Sequence, residues 1–168
     1  MEKSDISIKT GYGRFNYRVG AIILADNKLL MVKNTASPYY YSVGGRVKMN
    51  ESSSDAVKRE VFEETRIEME IERLAYIHEN FFIWEIKNEP FHEISFFYLM
   101  KPVDPPLLSA LKCTTHGESG ASEALYWLPV GKLSDYHLYP EFFKTELRLL
   151  KNTVGHFITK NGQTFCEK

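Results

Sequence analysis

The sequence is short of cysteine, of unbroken apolar stretches and of surplus charge, and each shortage removes a class of protein. Two cysteines, Cys113 and Cys166, stand alone among 168 residues. With no CxxC pair and no even-numbered framework, neither a disulfide-stapled fold nor a thiolate metal centre organises this chain, and both thiols read as reduced packing or surface groups. No apolar run approaches the roughly 18 residues that a membrane span requires. The opening MEKSDISIKTGYGRF is charged and polar where a secretory leader would be apolar. A cytoplasmic location without membrane contact is the expectation. A net charge of −1 leaves no surplus of cations to neutralise a run of phosphates, so no nucleic-acid polymer is expected as a partner.

What remains is an ordinary globular composition, 43% hydrophobic and 26% charged. The length suits one domain over residues 1–168, able to bury about 68–70% of its unfolded surface, with residues 1–12 a flexible or edge segment. No repeat or low-complexity tract interrupts it.

Two β-prone runs flank Asp26-Asn27 in FNYRVGAIILADNKLLMVKN, the composition of a strand, a tight turn and a second strand. Val19 to Leu24 is apolar at both parities, which predicts a strand covered on both faces. Phe91 to Met100 has the same character and reads as a central strand. Ile67 to Ile77 and Glu123 to Pro129 are further β-prone segments. Prolines and glycines make 101–122 mostly loop, with a turn of helix at 107–112. Pro140 fits the first turn of a closing helix that docks Phe143, Leu147 and Leu150.

One helix carries the chemistry. Ser52, followed three residues later by Asp55, approximates a capping box and predicts a helix running to Glu64 or Thr65. At 3.6 residues per turn, Glu60, Glu63 and Glu64 share one sector roughly 100° wide. Like charges at this spacing repel, so the arrangement does not serve helix stability. A solvated acidic face is the ordinary explanation for E-x-x-E-E. Against it, Val57 and Val61 lie beside the glutamates on the wheel, which puts the acidic sector at the rim of packed surface. Gly44-Gly45 just before the helix let backbone approach a ligand closely. Carboxylates with a nearby carbonyl suit Mg²⁺, a hard cation that takes oxygen ligands and shares them with substrate phosphates.

The string Gly45-x5-Glu51-x7-Arg59-Glu60-Val61-x-Glu63-Glu64-x-Arg66-Ile67 resembles the Nudix box, G-x5-E-x7-R-E-U-x-E-E-x-G-U. Seven specified residues at fixed spacing arise by chance on the order of 10⁻⁸ per start position. The likeness extends over about residues 15–152 and implies an α/β fold, the Nudix-type α/β/α sandwich around a mixed β-sheet. It implies further that Glu60, Glu63, Glu64 and the Gly44 backbone carbonyl hold Mg²⁺, with Mn²⁺ able to substitute. Arg59 then braces Glu51 and the metal-binding carboxylates, and Glu60 or a later glutamate takes a proton from water. The activity implied is hydrolysis of a diphosphate bond in a nucleoside diphosphate-X or related small molecule. The alternative is a non-catalytic Nudix-like module that binds a nucleotide and regulates something else. A homodimer is compatible with either.

The second box glycine is replaced by Arg66, where the chain often needs φ > 0, at a cost of about 1 kcal/mol. Val43 and Tyr40 stand where relatives often carry proline and tryptophan. Outside the box, Glu123 and Glu118 are candidates for a completing glutamate, and Tyr40 and Trp84 for contacts with a base. His92 and Glu93 open the central strand, where a hydrogen-bonded structural histidine is the simpler reading. Markers for particular nucleotide substrates are absent.

Overall fold

The computed structural model of the protein describes residues 4–35, 37–102, 114–116 and 122–167. Cys113, Glu118 and the helical turn expected at 107–112 lie outside the described residues.

The chain folds in the order β1 (Ser7–Thr10), β2 (Gly13–Ile22), β3 (Leu24–Ala25), β4 (Lys28–Asn34), β5 (Tyr40–Arg46) and α1 (Ser53–Thr65). There follow β6 (Ile71–Trp84), β7 (Glu89–Met100), β8 (Thr114–His116), β9 (Ser122–Pro129), a 3-10 helix (Val130–Asp135), β10 (Leu138–Tyr139), α2 (Phe143–Glu146), β11 (Gly155–Lys160) and β12 (Gln163–Glu167). The strands make a mixed sheet ordered β12-β11-β6-β7-β2-β5-β4-β9-β8, with β1 against β2, β3 against β4 and β10 against β5. Parallel pairing joins β2 to β7 and β11 to β6. The β3–β4 turn is Asp26-Asn27 as expected, and both residues have positive φ, 48° and 57°, the backbone of a tight hairpin turn.

Alternation along the strands sorts the core into two layers. Val19, Ala21, Ile23, Leu30, Val32 and Val43 pack with Ala56, Val57 and Val61 of α1. Ile22, Leu29, Met31, Phe97 and Leu99 face the other way, onto Val130 and Leu133 of the 3-10 helix and Phe142, Phe143 and Leu147 around α2. The strands that read as apolar at both parities are thus covered on both sides.

The second helical layer is thinner than the sequence pattern suggests. Phe143 and Leu147 are buried and Leu150 packs against them, but α2 spans only four residues. The segment winds mainly with i→i+3 bonds, among them Phe143 N–H to Pro140 O at 3.2 Å and Lys144 N–H to Glu141 O at 3.1 Å. Such tight turns rarely propagate. Strands β11 and β12 were not anticipated, although Asn161-Gly162 between them, both at positive φ, is a strong hairpin signal.

Helix α1 begins as read: Ser52 is the N-cap and its Oγ accepts the Asp55 N–H. It ends at Arg66, in the left-handed region at φ 60° and ψ 19°, whose N–H bonds to Phe62 O at 2.9 Å. A side chain with a Cβ is strained there. Arg66→Gly is expected to stabilise the protein by about 1 kcal/mol and raise the melting midpoint by roughly 2–4 °C. Calorimetry on the two proteins checks this, and an unchanged or lower midpoint contradicts it.

Candidate active site

Strand β5 changes partners along its length, and this carries the two glycines to the carboxylates. Its first half pairs with β4 through Met31↔Ser42 and Val32↔Tyr41. Its second half pairs with β2 through Arg18↔Arg46, Val19↔Gly45, Gly20↔Gly44 and Ala21↔Val43. At Gly44 φ is +144°, and a Cβ there would strike the Val19 carbonyl. A Cβ on Gly45 would occupy the place of the Glu60 carboxylate. The glycines therefore let α1 set its acidic face directly on backbone.

Arg59 is the hub of this face. Its Nε and Nη2 grip Glu51 Oε1 and Oε2 at 2.8 and 3.0 Å. Nη2 also donates to Arg46 O at 3.0 Å, while Nη1 reaches Glu60 Oε1 at 2.7 Å and Glu63 Oε2 at 3.2 Å. A guanidinium has five N–H donors, and these five contacts can occupy them all. Its hydrogen bonds hold the Glu51 carboxyl below the usual carboxylate range. Arg59 thus contacts Glu51, Glu60 and Glu63 together.

Glu60 and Glu64 differ from Glu63, which is exposed. Burial, with the Glu63 charge adding, pushes the Glu60 carboxyl up, against the opposing pull of Arg59 and Arg18. Glu64 is raised further, to about 8, chiefly by burial and then by the charges of Glu60 and Glu123. Its Oε1 accepts the Gly44 N–H at 3.1 Å. Its Oε2 is shut off from solvent and has no hydrogen-bond partner among the described residues. A buried carboxylate oxygen without a donor is unstable as an anion, and a cation is the natural complement. The donors are hard oxygens, so the residues fit a divalent ion such as Mg²⁺. Among the described residues, however, no three acidic, imidazole or thiol groups converge closely enough to form a ready metal cage. The anions are turned toward Arg59 and the Gly44 N–H rather than toward one common point.

Glu123 joins this group from β9. It is the register partner of Asn34, and it lies on the same side of β9 as Leu125 and Trp127, which pack on the α1 layer. Tyr41 donates to Glu123 Oε1 at 2.8 Å. Sequence reading missed Tyr41 and chose its neighbour Tyr40. Strand parity puts Tyr40 on the opposite face, against Tyr126 and Tyr136 with Lys33 over its ring. Tyr41 shares its face with Val43 of the α1 layer, a period-two signal readable beforehand. Arg18 was also missed, and its charge acts on both Glu60 and Glu64.

Trp84 is not brought to the acidic face. It lies at the end of β6, edge-on to Phe91 and under Lys87. A cavity of about 930 Å³ lies at the same end of the sheet, lined by Arg14, Phe15, Phe81, Phe82, Phe91 and His92. It includes none of the box residues. His92 stacks on Phe81 at 4.2 Å, but its buried Nε2, 3.9 Å from Glu79 Oε2, has no hydrogen-bond partner among the described residues, so the hydrogen bond expected of a structural histidine is not seen at that nitrogen. Glu93 accepts from Asn16 Nδ2 at 2.8 Å.

The profile of the NUDIX domain matches residues 14–149. No curated protein matches the chain. Among solved structures, the MutT protein from Bacillus halodurans is 16% identical with a TM-score of 0.62, over 90% of this chain and 97% of that one. An ADP-ribose pyrophosphatase from Streptococcus suis is 16% identical with a TM-score of 0.51, covering 86% and 98%. A UDP-X diphosphatase is 17% identical with a TM-score of 0.53, covering 83% and 63%. These likenesses establish the shared α/β Nudix-type fold. The chain belongs to the NUDIX domain family.

Proposed function

We propose that the protein hydrolyses the diphosphate bond of a nucleoside diphosphate-X with the help of Mg²⁺, or of Mn²⁺ in its place. The observation that carries this reading is Glu64 Oε2, buried without a donor beside Glu60 on the helix that the box defines. Glu60, Glu63 and Glu64 hold the ion, with the Gly44 carbonyl as a further oxygen. Glu60 and Glu63, which here accept from Arg59, would supply ligand oxygens, while the Glu51–Arg59 pair holds the arginine in place. When bound, the ion polarises a phosphoryl oxygen and acidifies a water. Glu123 accepts the proton from the attacking water, and Arg18 offsets charge developing on the phosphoryl oxygens. A nucleoside diphosphate-X is the class named for the ADP-ribose and UDP-X enzymes of the same fold. The setting is cytoplasmic, with a small-molecule partner. Among the described residues no helix is long and apolar enough to cross a membrane.

An Mg²⁺-dependent release assay across nucleoside diphosphate-X compounds, run in ¹⁸O-labelled water, is expected to show turnover with the label in one phosphate product. Tight nucleotide binding without metal-dependent turnover would instead make the protein a binding module.

A further inference from the structure

Two elements meet at Glu123, β9, which carries it, and β5, which brings Tyr41, and its charge reaches Glu64 on α1. Tyr41 Oη lies 2.8 Å from Glu123 Oε1, and Asn34 Nδ2 donates to the same Oη at 3.4 Å. With Asn34 on its lone pair, the hydroxyl proton points to the carboxylate. Burial first, and then the Glu123 contact and charge, raise the phenol well above its ordinary value, with the Glu64 charge adding. The group therefore stays a donor across the working pH range. Glu123 and Glu64 are near enough that the charge on Glu123 helps raise the Glu64 carboxyl.

We infer that Tyr41 is a positioning residue whose hydroxyl holds the Glu123 carboxylate toward Glu64 and the ion site. The inference rests on the hydrolase reading above. Tyr41 touches neither substrate nor ion; its hydroxyl acts by restricting the rotation of the Glu123 carboxylate. Groups that orient the residues around a metal change affinity or activity by about 10–100-fold when removed.

The test is a double-mutant cycle on the full chain with Tyr41→Phe and Glu123→Ala, read by kcat, by KM, by Mn²⁺ affinity from electron paramagnetic resonance and by melting midpoint. Tyr41→Phe is expected to lower kcat about tenfold and to weaken Mn²⁺ binding severalfold, with KM within about twofold. Both losses disappear in the Glu123→Ala background, because the hydroxyl then has nothing to hold. Losses that persist there, or track a fallen melting midpoint, make Tyr41 a mere packing residue and overturn the proposal. So does a Tyr41→Phe protein that matches wild type in kcat and Mn²⁺ affinity. A wild type without turnover on any diphosphate overturns the hydrolase reading separately, and the Mn²⁺ arm of the cycle still decides the role of Tyr41.

Discussion

Glu64→Gln is expected to lower turnover by at least ~10² and, in metal-free protein, to raise the melting midpoint at pH 8. Both effects have one cause. The buried Glu64 carboxyl is raised to about 8 from its usual 4.5. Between those values the folded state binds the proton more tightly than the unfolded state, so this group's contribution to stability is full below pH 4.5 and is lost as pH rises through about 8. Glutamine resembles the protonated side chain: it keeps an oxygen for the Gly44 N–H and brings no charge to be buried. It also cannot serve as an anionic ligand. The gap in melting midpoint between variant and wild type should therefore widen from pH 5 to pH 8. The difference between the two proteins is the useful quantity, because His78, held neutral by burial with its pKa lowered to about 4, shifts stability in the opposite sense below pH 6.5. Saturating Mg²⁺ should stabilise the wild type more at pH 8 than at pH 5, since the ion needs the carboxylate, and should leave the variant nearly unmoved. Equal midpoints at every pH would mean that Glu64 is solvated and its role misread.

Arg59→Ala is expected to cost about 3 kcal/mol of stability, the scale of leaving buried charges without their partner. For a chain of this size that is a fall of roughly 6–12 °C in the melting midpoint. The loss is large because one guanidinium serves Glu51, Glu60, Glu63 and the Arg46 carbonyl together. Arg59→Lys should recover little, since an ammonium cannot grip both oxygens of Glu51 while reaching Glu60. Turnover should fall in both variants, because Glu51 and Glu60 lose their orientation. Differential scanning calorimetry and steady-state kinetics on the alanine and lysine proteins check the pair. A lysine variant with wild-type midpoint and turnover would reduce Arg59 to an ordinary i, i+4 ion pair with Glu63.

Much of this site was legible beforehand because it lies on one continuous stretch. From Gly45 to Arg66 the spacing is local, and helical geometry converts spacing into position with little help from the rest of the chain. The cap at Ser52 and the burial of Val57 and Val61 followed from that geometry, and the left-handed Arg66 from its place at the second glycine of the box. Tyr40 shows where such reasoning fails. On a strand the face is set by register against neighbours, and a slip of one residue exchanges the two faces. Tyr40 and Tyr41 are chemically equivalent in the sequence; only the pairing Val32↔Tyr41 assigns one of them to the carboxylates. Trp84 fails for another reason. Nothing local says that β6 runs on to residue 84, which puts the indole at the far end of a long hairpin with β7.

The amino-acid sequence by itself determined the family and the acidic helix, because both depend on side chains within a few turns of one another. It also determined the doubly covered strands, since apolar residues at both parities have no other stable place. The tertiary structure decided which glutamate loses its solvent, which tyrosine meets Glu123 and which arginines share the field. Burial and cross-strand contact are properties of segments distant along the chain, brought together only when β5 leaves β4 for β2 and α1 settles on its glycines.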